Sequence, residues 1–152
     1  MSSAKPIPDG YHTVTPMLCA RDADKLLRYL EQAFDARLKE RHDHPDGRIM
    51  HAEIRIGDSL VMLSEASEPM PPMPASLYLY VPDVDAVHAS AVAAGGESLM
   101  APADMFWGDR SASVKDPAGN MWWISTHVED VAPDELDRRA AAYAEQCGPP
   151  QQ

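Results

Sequence analysis

A chain of 152 residues with 45% hydrophobic content has the size of one domain and enough apolar material for a core. Its formal net charge of −11 repels phosphate backbones and anionic lipid surfaces, so neither nucleic acid nor a membrane is an expected partner. The cysteines, Cys19 and Cys147, stand far apart and offer no disulfide or zinc framework, and with no spanning apolar run and no secretion-type start the expected compartment is the reducing cytoplasm.

Residues 1–10 carry two prolines and a glycine without periodicity and read as a disordered lead-in. Tyr11 to Arg21 reads as a strand in which Pro16 breaks a ladder bond or marks an edge. Asp22 has the chemistry of a helix N-cap, and Leu26, Leu27, Leu30 and Phe34 recur on one helical face. The turn at Asp43 to Gly47 pairs Leu38–His42 with Arg48–Ile56, and Gly57-Asp58 leads into a fourth strand, Leu60–Ser64. That completes a first module over residues 11–65.

Residues 66–75, with Pro69, Pro71, Pro72 and Pro74 interleaved with Met70 and Met73, form a linker. A second module over residues 76–128 repeats the order. It has strand Leu77–Val81, helix Asp83–Ala94, strand Ser98–Met100, a long loop, strand Ser111–Lys115, the turn Asp116-Pro117-Ala118-Gly119 and strand Met121–Thr126. Residues 129–152 hold a C-terminal helix over Asp134–Ala144, with Pro133 at its start, and a frayed tail from Gly148. Thr15 to Asp24 matches Ser76 to Asp85, and Asp22 and Asp83 lie 61 positions apart, so the chain is a duplicated β-α-β-β-β unit. The fold class is α+β, with one structural domain overall.

Alternation along each strand sorts side chains into a helix-facing set and an open set. Ser76, Tyr78 and Tyr80 fall on the open face, with Thr15, Met17 and Cys19 as counterparts. His51, Glu53 and Arg55 share it in the first module, and Ser111 and Ser113 in the second. Counting from the shared glycines Gly57 and Gly119 adds Val61 and Trp123, with Ser59, Leu63, Met121 and Ser125 beside them. Sheets curled around these faces enclose a cavity lined by Tyr78, Tyr80, Trp123, Met17 and Leu63, the usual makeup of a small-molecule pocket. Trp107, in Phe106-Trp107-Gly108-Asp109-Arg110, belongs to the long loop, where it is either a pocket wall or a plug, with Asp109 and Arg110 as a local ion pair. Trp122 belongs to the core.

The strand-Asp-helix openings at Asp22 and Asp83, the run His51-Ala52-Glu53-Ile54-Arg55-Ile56-Gly57-Asp58, and Phe106 to Arg110 followed by Asp116-Pro117-Ala118-Gly119-Asn120 carry a resemblance. So does the ending Thr126-His127-Val128-Glu129-Asp130-Val131. Together they resemble the vicinal oxygen chelate superfamily, in its PhnB-like glyoxalase and bleomycin-resistance group. The resemblance implies a cupped mixed sheet built from two β-α-β-β-β modules, and a homodimer that completes its pockets across the interface.

Enzymes of that superfamily hold a divalent metal with one His, Gln or Glu from the first and last strand of each module. The resemblance puts those positions at Thr15, Val61 (Met62 if the register shifts by one), Ser76 and Trp123. None is a normal metal ligand, so neither a metal nor another cofactor is expected. The bleomycin-resistance type lacks the metal and sequesters drug in a groove formed by a dimer. The leading expectation is thus a metal-free protein that binds an aromatic or apolar compound such as an antibiotic. Tyr78, Tyr80, Trp107 and Trp123 would stack on it, and His51, Glu53 and Arg110 would anchor its polar groups. The rival is a lyase or isomerase of the glyoxalase type, using a relocated metal or His51 and Glu53 as acid and base. A third reading is a dimer whose open faces pack together and bind nothing.

Overall fold

The computed structural model describes residues 4–148; the first three residues of the expected lead-in and residues 149–152 of the expected tail lie outside it. Helix α1 (Ala23–Phe34) follows strand β1 (Met17–Ala20), and β2 (Arg37–Asp43), β3 (Ile49–Ile56) and β4 (Ser59–Glu65) complete the first module. The second repeats it with β5 (Ser76–Tyr80), α2 (Val84–Ala93), β6 (Glu97–Asp104), β7 (Asp109–Lys115) and β8 (Met121–His127). Helix α3 (Pro133–Cys147) ends the chain. Each module forms its own four-stranded mixed sheet, in the orders β1-β4-β3-β2 and β5-β8-β7-β6. The β1–β4 and β5–β8 pairs are parallel and the rest antiparallel.

Both module helices start where the sequence places a capping aspartate. Asp22 accepts from the Lys25 amide at 3.2 Å, and Asp83 from the Ala86 amide at 3.0 Å. The first helix gains a second anchor, because Glu65 at the end of β4 accepts from the Asp22 and Ala23 amides at 2.9 and 2.8 Å. That ties the start of α1 to the end of β4, the strand beside β1.

The apolar stripe of α1 and the helix-facing sides of both sheets enter one core. It includes Leu26, Leu30, Ile54, Leu63, Val84, Val114, Trp122 and Ile124. Phe34 closes the gap between modules, its ring 4.9 Å from that of Trp122. Since the two sheets share this core through their helix sides, their open faces point away from it. The open faces therefore do not enclose a common cavity within one chain.

Three expectations need correction. Strand β1 begins only after Pro16, whose carbonyl accepts from the Met62 amide at 2.9 Å but whose ring nitrogen has no hydrogen to donate. The long loop of the second module is mostly strand: β6 runs to Asp104, and Pro102 is tolerated because β6 is an edge strand with a register shift between Met100 and Ala103. What remains is a tight turn over Met105 to Gly108, closed by the Met105 amide on the Asp109 carbonyl at 2.7 Å.

The third concerns β4. Ile54 pairs with Val61 and Ala52 with Leu63, so Val61 and Leu63 point into the core, while Met62 takes the open face. Leu63, expected in the binding surface, is fully buried among the helix-facing residues. The glycine count failed because the turns differ in length. Ile56 pairs with Ser59 around Gly57-Asp58, whereas Lys115 pairs with Met121 around five residues, Asp116 to Asn120.

The linker does not float. Met73 pairs with Cys19 at the β1 edge, its amide donating to the Cys19 carbonyl at 3.2 Å, and the Cys19 thiol meets the Met70 carbonyl at 3.4 Å. Further on, Asn120 Oδ1 accepts from the Ala75 amide at 2.8 Å, so the linker is pinned at both ends. No helix among the described residues is long and apolar enough to cross a membrane.

Candidate functional site

The open face of the second sheet gathers aromatic side chains around one buried carboxylate. Asp109 opens β7 and is only 2% exposed, yet it faces four donors. Its Oδ2 accepts from the Tyr78 and Tyr80 hydroxyls, each at 2.9 Å, and from Trp107 Nε1 at 3.1 Å. Its Oδ1 meets His127 Nδ1 at 2.9 Å, and His127 Nε2 in turn meets Asp130 at 2.8 Å. Beneath the tyrosines, buried Ser111 and Ser125 share a hydrogen bond of 2.7 Å.

Alternation explains the assembly. Asp109 pairs with His127, Ser111 with Ser125, and Tyr78 with Trp123, so these side chains fall on one face. The Tyr78 ring lies nearly parallel to Trp123, at 14° and 6.3 Å, and tilted against Tyr80 at 5.3 Å. Tyr78 and Tyr80 remain 43% and 66% exposed, so their hydroxyls are fixed while their ring faces stay open to solvent.

Burial would by itself raise the Asp109 carboxyl. The bonds from His127, Tyr78, Tyr80 and Trp107 outweigh it and hold the group below the usual carboxylate range. The same contact pushes Tyr80 up to about 12, since ionising it would set two anions together. Asp130, then Asp109, raises His127 by favouring its charged form.

The turn that delivers Trp107 is buttressed from the C-terminal side. Gly108 has φ +99° and accepts from the Val128 and Glu129 amides at 2.9 and 3.0 Å. A Cβ there would fall on the Glu129 carbonyl oxygen, so only glycine fits. Phe106 packs on Tyr143 of α3 at 5.1 Å, and Arg139 of α3 binds Glu129 with both terminal nitrogens, at 2.9 and 2.8 Å. The terminal helix thus fixes the ring-bearing turn.

The remaining expected site residues lie elsewhere. Arg110 does not pair with Asp109. One step along the strand places it on the helix side, where it binds Asp85 of α2 at 2.8 and 2.9 Å and Asp104 at 3.2 Å. Met17, 48% exposed, lies beside Met62 on the open face of the first sheet. Glu53 pairs with Met62 on that face, and His51 Nε2 is 3.4 Å from its carboxylate, at the long limit for a hydrogen bond.

Lys39 reaches the other Glu53 oxygen at 3.1 Å and sits over the Tyr11 ring at 4.7 Å. The buried Tyr11 hydroxyl lies against the carboxylate without a hydrogen bond of strict geometry. Tyr11 most, then Lys39 and His51, hold Glu53 below its ordinary range against the opposing effect of burial. Two surface cavities, of 230 Å³ beside Tyr11, Thr15 and Leu60 and of 390 Å³ beside Arg21, Arg48 and Ser67, do not include the aromatic set.

The four positions that would hold a divalent metal do not fit one. With the corrected register they are Thr15, Met62, Ser76 and Trp123, two hydroxyls, a thioether and an indole. Hard or borderline divalent ions need carboxylate or imidazole donors, and an indole offers no lone pair. Among the described residues no three His, Cys, Asp or Glu side chains are grouped to hold an ion. Asp109 is absent from the expected site because the expected β7 starts at Ser111, two residues after the observed start, and His127 because the expected β8 ends at Thr126, one residue short; Asp130 lies beyond that strand. The alternation Asp109-x-Ser111-x-Ser113 would have placed the carboxylate on the ring face.

Comparison with known proteins converges on one family. The family model of the glyoxalase/bleomycin resistance protein/dioxygenase superfamily matches residues 11–124. An uncharacterized protein of Mycobacterium bovis is 34% identical over 134 residues, covering 81% of this chain and 88% of that one. TioX from Micromonospora sp. ML1 superposes with a TM-score of 0.67 at 27% identity, over 77% of this chain and 99% of TioX. The PhnB protein of Bacillus cereus shares the fold at 18% identity, with a TM-score of 0.62 over 76% of this chain and 99% of its own. The fold, the paired modules and these matches agree: the chain belongs to the glyoxalase/bleomycin resistance protein/dioxygenase superfamily.

Proposed function

We propose that this protein binds a flat, largely apolar aromatic small molecule, in the manner of a sequestering or resistance protein, with no metal in the site. The observation that carries the reading is the fixed ring platform of Tyr78, Tyr80, Trp107 and Trp123. Tyr78, Tyr80 and Trp107 are held in place by Asp109 and Trp123 by parallel stacking on Tyr78, and the tyrosine ring faces stay open. Aromatic contacts of this kind contribute about 0.5–1.5 kcal/mol each beyond buried area. Holding them in place before binding lowers the ordering cost.

The platform is one-sided in a single chain, since the first sheet's open face points away from the shared core. A homodimer that sets Met17 and Met62 of one chain across from the rings of its partner would close the groove, with adaptable thioethers opposite the rings. The two free cysteines suit a reducing compartment such as the cytoplasm. Trp123→Ala tests the platform. Titrating intrinsic fluorescence with a panel of planar antibiotics should show saturable quenching in the wild type and at least about tenfold weaker binding in the variant. No quenching across the panel would overturn the reading.

A second reading, a glyoxalase-type lyase or isomerase, draws on Glu53, whose carboxylate is half-buried between Lys39 and His51. Such a carboxylate can accept a proton and pass it to the imidazole. Glu53→Gln would then abolish turnover while leaving ligand-induced quenching intact.

A further inference from the structure

The hydrogen-bond polarity of the ring platform selects the kind of molecule that can lie on it. A phenol has one proton, and Tyr78 and Tyr80 both direct theirs to Asp109 Oδ2. Trp107 gives its only N–H to the same oxygen. His127 faces carboxylates through both ring nitrogens; Ser111 and Ser125 are buried against each other, and with the Tyr78 proton on Asp109 the Ser111 hydroxyl donates to the Tyr78 oxygen at 3.3 Å, which leaves Tyr80 the freer acceptor. A ligand above the rings therefore meets phenol lone pairs and π faces, and finds no free donor in this set. Behind them sit Asp109 and, at the rim, Asp130.

An imidazolium at His127 offsets only one of its two carboxylate partners, Asp109 and Asp130, and the other positive side chains nearby are committed elsewhere. Arg110 binds Asp85 and Asp104 on the helix side, and Arg139 binds Glu129 and Glu135 on the C-terminal flank. A carboxylate, sulfonate or phosphate would thus meet lone pairs and negative charge. An N–H group or a cation meets acceptors, ring quadrupoles and the attraction of a chain with net charge −11.

Resting on the reading above, we propose that the platform takes a protonated planar amine: an aromatic cation whose N–H groups point at the Tyr78 and Tyr80 oxygens and whose ring lies against Tyr80 and Trp123. The buried carboxylate then has two roles, fixing the phenols and supplying the field that favours the cation. An uncharged ring of equal size gains only the stacking.

Calorimetric titration of the full chain separates these contributions with three probes. They are proflavine, a planar cation with amino groups, 9-anthracenemethanol, uncharged and of similar area, and anthraquinone-2-sulfonate, a planar anion. Proflavine should bind at least about tenfold more tightly than the uncharged probe, and the sulfonate should not bind. Asp109→Asn, checked for folding by near-UV circular dichroism, should bring the cation to the level of the uncharged probe. Tyr80→Phe, at a side chain 66% exposed, keeps the proposal testable should the first variant fail to fold. It should weaken proflavine roughly threefold and leave 9-anthracenemethanol unchanged.

Equal affinity for cation and uncharged probe overturns the inference while the aromatic-binding reading stands; binding by none of the three overturns both. Proflavine binding that ignores both variants and vanishes in about 0.5 M salt is attraction to the acidic surface, and also overturns the inference.

Discussion

The two modules have equivalent helix faces and unlike open faces. Ile54 pairs with Val61 and Ala52 with Leu63 in the first sheet; Val114 pairs with Trp122 and Ala112 with Ile124 in the second. All eight are buried and apolar. On the open side the same rows hold Met17, Met62 and Glu53 in one module and Tyr78, Trp123 and Ser113 in the other. Packing against a shared core constrains one face of each sheet, and the other is free to take up separate chemistry: a carboxylate between a lysine and a histidine in the first module, a carboxylate among rings in the second.

The turns before β4 and β8 differ in the same way, and there the contrast should have its largest energetic effect. Asp116 is buried and accepts from the Ala118 amide at 2.9 Å, the Asn120 amide at 3.0 Å, and Asn120 Nδ2 and Trp122 Nε1 at 2.8 Å each. Asp58, in the first module, is exposed and among the described residues accepts only from the adjacent Ser59 hydroxyl at 3.0 Å. Asp116→Ala would strand the buried indole N–H and the turn amides, for a loss on the order of 3–5 kcal/mol. Asp58→Ala should stay within about 0.5 kcal/mol. Urea denaturation of both variants measures the asymmetry, and similar midpoints would show that the two turns are energetically alike.

This contrast also explains what the sequence could and could not disclose. The capping aspartates, the stripe of α1 and the buried Trp122 follow from local periodicity, which the core enforces. The placement of Leu63 did not follow, because parity was carried across turns of unequal length. Arg110 does not join Asp109 because adjacent strand residues face opposite ways, and its partner, Asp85, is distant in sequence. The Asp109 hub depends on three elements meeting, β5, the 105–108 turn and β8, and no local pattern encodes that meeting. Its only local trace is the alternation that begins at Asp109.

Gly108 tests whether the ring platform depends on the C-terminal flank. Alanine there combines a left-handed φ with a clash on the Glu129 carbonyl, for a cost of about 1–3 kcal/mol. The damage should be local. Trp107 would lose its place at Asp109 while Trp123, held in β8, keeps its environment, so the near-UV signal of one indole should change. An unchanged spectrum with full stability would mean the turn tolerates another backbone path. Gly57, whose Cβ would meet open space, should show only the strain of its φ of +57°.

The smallest effect concerns proton linkage at the rim of the platform, where His127 is exposed and screening is strong. Its folded pKa lies above the ordinary 6.5, through Asp130 first and Asp109 second. The stabilisation it brings is therefore complete below 6.5 and fades as pH rises through the raised value. Asp109 works in the opposite sense. Its folded pKa lies below the ordinary 3.8, so its stabilisation is complete above 3.8 and fades as pH falls through the depressed value. The two together favour the window between those ordinary values. Following the His127 ring protons by NMR should give a midpoint above 6.5 in the wild type, and Asp130→Asn should bring it down without displacing Tyr78 or Tyr80. A midpoint that does not move would mean that Asp109 alone holds the imidazolium, which would tie the histidine's charge entirely to the ring-bearing carboxylate.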